Sequence, residues 1–68
     1  MPPSTSASDA ADLSSMAATL DDLVRRLIDL DQRYRTAKRE DVQGAVREAE
    51  RLVRHAARQI RRAEKLVA

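Results

Sequence analysis

Apolar residues recur at alternating steps of three and four along most of this chain, and that spacing constrains the fold more than any other feature. A first series runs through Leu13, Met16, Leu20, Leu23, Leu27, Leu30, Tyr34 and Ala37. A second runs through Val42, Val46, Ala49, Val53, Ala56, Ile60, Ala63 and Val67. Such steps return side chains to one stripe of an α-helix, the stripe formed by positions a and d of a heptad. No period-two strand pattern competes with them.

The two series are out of phase. The step from Ala37 to Val42 is five residues, so one helical face cannot run unbroken through residue 40. A turn there resolves the conflict. The spacing then predicts a first helix over about residues 9–36, a turn over about 37–41 and a second helix over about 42–67, with Asp41 capping the second. Because the turn holds neither Gly nor Pro, the alternative is a single helix of roughly 58 residues kinked at Gly44, close to about 87 Å long at 1.5 Å per residue. Residues 1–8, with two prolines and small polar side chains, read as a flexible arm, and Ser6 or Ser8 offers an N-cap after it.

The expected fold is therefore all-α, an antiparallel hairpin of two long amphipathic helices. Folding back about residue 40 sets Leu30 against Ala49, Leu23 against Ala56 and Met16 against Ala63. Between those layers Tyr34 meets Val46, Leu27 meets Val53, Leu20 meets Ile60 and Leu13 meets Val67. Large side chains oppose small ones in every second layer, which lets helices approach closely. One feature opposes this register, since Asp31 then falls near Glu50.

Composition bears on how such a hairpin is completed. A chain of 68 residues forms one domain at most, and domains of that size bury only about 60% of their unfolded surface. There is no Cys, Trp or Phe, which excludes disulfides, thiolate metal sites and an aromatic core. Apolar columns also extend beyond the seam, through Ala17, Val24 and Ile28 in the first helix and Ala45, Leu52 and Leu66 in the second. A lone hairpin leaves them in water. They are the expected oligomer or partner face, and a homodimer or a helical protein partner would complete a coiled-coil-like four-helix bundle.

Charge is unevenly distributed. Residues 9–31 carry net −4 and residues 32–68 carry net +6, together the +2 of the whole chain. Eleven of the thirteen basic residues are Arg. In the second helix Arg47, Arg51, Arg54, Arg58, Arg61 and Lys65 recur at steps of four and three on b and f positions, with Arg62 beside them. They predict a cationic ridge roughly 27 Å long at 1.5 Å per residue. Its candidate ligand is the phosphate backbone of RNA or DNA, or an acidic protein surface. The competing expectation is a solvated face, with Glu48 answering Arg51 and Glu50 answering Arg54.

No other constellation suggests chemistry. His55 stands alone at an outer c position, without a second metal ligand. Tyr34 lies near the turn, where a phenol seals a bundle end. No nucleophile–base pair, apolar carboxylate dyad or Gly-rich loop is present, so the chain reads as non-enzymatic, with no cofactor and no small-molecule substrate. No basic start, apolar leader or membrane-length run is visible, and the expectation is a cytoplasmic protein without a membrane partner. The function expected is that of a small regulatory or adaptor protein acting through helix-mediated protein–protein interaction and self-association. The alternatives are a nucleic-acid-binding hairpin dimer that uses the basic ridge, and a docking or oligomerisation element of a larger assembly.

Overall fold

In the computed structural model, which describes residues 4–68, two helices pack against each other as an antiparallel hairpin. Helix α1 spans Ser4–Thr36 and helix α2 spans Glu40–Val67. The body is a rod 55 Å long and 14 by 13 Å across. The continuous-helix alternative is excluded, and Gly44 lies inside α2.

The turn is built without glycine. The Arg39 N–H donates to the Tyr34 carbonyl at 3.0 Å and the Lys38 N–H to the Arg35 carbonyl at 3.1 Å. This 6→1 and 5→2 pair is a Schellman motif, which requires a left-handed residue at its C′ position. Lys38 supplies it, with φ of 56°. Arg33 and Arg35 place positive charge on the last turn of α1, where the helix dipole is negative. Glu40 and Asp41 place negative charge on the first turn of α2, where it is positive.

Asp41 does not cap α2. The N-cap is Arg39, which makes no side-chain capping bond, and its carbonyl accepts the Gln43 N–H at 3.0 Å. Asp41 sits two residues past the N-cap position, inside the first turn, and so does not cap. Its carboxylate instead accepts two bonds from the Arg39 guanidinium, each 3.1 Å. That pairing, with help from the Val42 N–H, holds the Asp41 carboxyl below its ordinary range.

The start of α1 corrects the expectation of an arm over residues 1–8. The helix already runs from Ser4, so residues 4–8 are helical and Ser6 and Ser8 lie within it rather than capping it; residues 1–3 lie outside the described residues. Extending a nucleated helix costs little per residue, and Ala7, Ala10 and Ala11 are strong helix formers. Packing is not what holds this segment, for residues 6–9 are all exposed.

The core is a single line of contact. Ala17, Val24 and Ala57 are its buried apolar residues, and Gln43 is buried with them. Among the described residues no Leu, Ile, Met or Tyr is buried. Leu20 and Ile60 line one shared groove, and Leu13 and Val67 line the next. These are two of the layers expected from the spacing.

Candidate interaction face

The contact line runs along a different stripe from the a/d seam. Calling Leu13, Leu20, Leu27, Tyr34, Val46, Val53, Ile60 and Val67 column a, the buried residues fall in column e: Ala17 and Val24 on α1, Gln43 and Ala57 on α2. Asp31, Glu50 and Glu64 continue that column and are half-buried. Successive residues turn through about 100°, so e lies about 40° to one side of a and d about 60° to the other. Each helix faces its neighbour along the a/e direction, and every a residue is only half-buried. The d columns stand to one side of the contact.

Because the helices are antiparallel and face each other, the same sense of rotation carries d to the same side of the hairpin on both. The hairpin therefore has two unlike edges. On one edge, polar groups tie the helices together. Arg61 of α2 donates to the Asp21 carboxylate of α1. Asp31 accepts from the Arg47 Nε at 3.0 Å and from the Gln43 amide at 3.4 Å. Asp31 thus meets an arginine and a buried amide, and Glu50 pairs with Arg54 at 3.4 Å, so each of the two carboxylates expected to be like-charge neighbours has its own cation. Arg61 holds the Asp21 carboxyl below its ordinary range, chiefly by this hydrogen bond.

The opposite edge is apolar along its d columns, flanked on α1 by the polar g residues Asp12, Thr19, Arg26 and Arg33. It carries Met16, Leu23 and Leu30 on α1 and Val42, Ala49, Ala56 and Ala63 on α2, with Ala45, Leu52 and Leu66 in the adjoining g column. Met16 is 47% exposed, Leu52 52% and Leu66 76%. Two shallow grooves of 280 and 260 Å³ open on this edge and share Met16 in their walls. Leu20 and Ile60 floor the first, Leu13 and Val67 the second.

The expected partner face is thus partly redrawn. Ala45, Leu52 and Leu66 are exposed on the apolar edge. Ala17 and Val24, at 1% and 8% exposure, are covered within the hairpin and cannot meet a partner. Ile28 is half-buried on the polar edge, apart from the others. Met16 and Leu23 belong on the face and were not separable from the core by spacing, because d and e columns are both apolar through this stretch. Size gave no signal either, since on α2 the outward d column (Val42, Ala49, Ala56, Ala63) is smaller than the inward e column (Gln43, Glu50, Ala57, Glu64).

The ridge is present as a run of exposed side chains along α2. Its charges are largely answered. Arg47 pairs with Asp31, Arg51 with Glu48, Arg54 with Glu50 and Arg61 with Asp21. Among the described residues Arg58, Arg62 and Lys65 make no such pair, and they cluster on the last turns of α2. His55 is exposed on the outer surface, and Tyr34 is half-buried beside the turn. No three His, Asp or Glu residues converge among the described residues. No described helix is long and apolar enough to cross a membrane.

Comparison with protein-family models, curated proteins and solved structures finds no match to this chain.

Proposed function

We propose that this chain is a non-enzymatic regulatory or adaptor protein that works by helix-mediated association through its apolar edge. The observation that carries this reading is the one-sided arrangement of the two d columns, joined on α2 by Ala45, Leu52 and Leu66 of its g column. Scattered exposed leucines are ordinary on a surface, but a continuous apolar strip beside a polar, ion-paired edge marks an interaction site. The ridge supports recognition of phosphates less well, because four of its seven cations already have carboxylate partners. An exposed pair contributes little to stability, yet it lowers the net charge that a polyanion meets.

Two double variants test the proposal against the nucleic-acid alternative. Leu23→Glu with Leu52→Glu charges the apolar edge; Arg51→Glu with Arg58→Glu reverses charge on the ridge. Light scattering after size exclusion reads assembly, and circular dichroism checks helix content. The expected result is that the edge variant loses association while the ridge variant keeps it. A wild-type chain that stays a folded monomer with no protein partner overturns the proposal, and loss of salt-sensitive RNA or DNA binding in the ridge variant alone would transfer it to the alternative.

A further inference from the structure

We infer that the occupant of the apolar edge is a second copy of this chain, related by a two-fold axis parallel to the helices, so that α1 of each copy lies on α2 of the other. The inference rests on the association reading above and specifies its partner and geometry.

The first support is directional. Within the hairpin each helix faces its neighbour midway between a and e. The apolar seam bisects a and d, about 50° away at 100° per residue. In a square bundle of four helices, each helix has two neighbours at right angles, and the bundle axis lies midway between them, about 45° from either. The seams of α1 and α2 therefore point to where such an axis would run. Half of that bundle is present in one chain.

The second support is self-complementarity. The d column holds Met16, Leu23 and Leu30 on α1, and Ala49, Ala56 and Ala63 on α2. Leu20 and Ile60 share a level along the rod, as do Leu13 and Val67. A two-fold axis parallel to the helices keeps every residue at its own level. It would seat Met16 against Ala63 of the partner subunit, Leu23 against Ala56 of the partner subunit and Leu30 against Ala49 of the partner subunit. Large meets small in each layer, and both contacts have equal width. A two-fold axis across the helices would stack Leu on Leu at one contact and Ala on Ala at the other, forcing unequal separations. Charge does not oppose the arrangement: α1 is net −2 and α2 net +2, and the α2 g column that would meet α1 of the partner carries no charge.

The third support is area. The chain exposes 5184 Å², whereas a compact monomer of 7.6 kDa exposes about 4,300 Å². The surplus of about 900 Å², shared among the rod's elongated shape, the protruding start of α1 and the apolar edge, leaves room for the about 800 Å² that each partner buries in a standard interface.

The chain has no native cysteine, so disulfide trapping tests the arrangement cleanly. Leu23→Cys and Ala56→Cys are made in separate full-length chains, one of them tagged, and oxidised alone and as an equal mixture. The expected result is that most of the mixture shifts to the mixed disulfide, with little cross-linking of either variant alone. Met16→Cys with Ala63→Cys repeats the test one layer further on. Efficient cross-linking of Leu23→Cys to itself would overturn the arrangement in favour of the crossed axis. A wild-type dimer without the mixed disulfides would overturn the arrangement and leave association standing. A wild-type monomer would overturn both.

Discussion

Asp21 and Arg61, forty positions apart, meet across the two helices and close the polar edge of the hairpin. Arg61 holds the Asp21 carboxyl below its ordinary value of 3.8. A carboxyl that binds its proton less readily in the folded state stabilises the fold above its unfolded value and loses that contribution as the pH falls through the folded one. The contribution is thus complete above about pH 5 and fades below pH 4. Asp21→Asn should flatten the acid limb of a urea-midpoint profile relative to wild type, and added salt should narrow the difference. Superimposable profiles would show that the pair contributes nothing.

Asp31 performs a related task with less exposure. It accepts from Arg47 and from the amide of Gln43, a side chain buried in the contact line. Asp31→Ala removes the acceptor and leaves that amide without a protein partner. An orphaned buried donor costs about 1–3 kcal/mol, and chemical denaturation at fixed protein concentration should show a loss in that range. Gln43→Leu should recover part of it in the double variant, since the amide is then gone as well.

Lys38 occupies a left-handed backbone position at the end of α1. A β-carbon there costs about 1–2 kcal/mol, partly offset by the greater entropy that Gly loses on folding. Lys38→Gly should therefore stabilise the hairpin by about 0.5–1 kcal/mol, or roughly 2–8 °C in Tm for a domain of this size. A lowered Tm would show that the Lys38 side chain contributes more than its backbone strain removes.

Gly44 is the opposite case. It lies in the first turns of α2, and a β-carbon added there would meet nothing within 4 Å. Gly44→Ala should raise stability by about 0.5–1 kcal/mol through helix propensity alone. Thermal unfolding followed at one protein concentration reads the change.

The broad architecture was legible in the sequence because it is written in local periodicity. The step from Ala37 to Val42 located the turn, and the a column from Leu13 to Val67 lies along the contact as the spacing implied. Which flanking column turns toward the neighbouring helix was not legible. Columns d and e are both apolar at Met16, Ala17, Leu23 and Val24, and column e also contains Asp31, Gln43 and Glu50. Spacing alone disfavours burying such residues. Burial becomes favourable only when Arg47 and Gln43 arrive from the other helix, a pairing that no local pattern encodes. The same holds for the ridge, whose regular spacing was plain while its partners Asp21 and Asp31 lay on the other helix of the hairpin. The turn escaped in part because Lys38 takes a conformation usually assigned to Gly.

Completion of the a/d seam by a second chain is read from the mass of the wild-type protein in solution. Sedimentation equilibrium over a range of concentrations should give twice the 7.6 kDa chain mass at the upper end, with the monomer emerging on dilution. A single species at 7.6 kDa throughout, with the helix content intact, would contradict it.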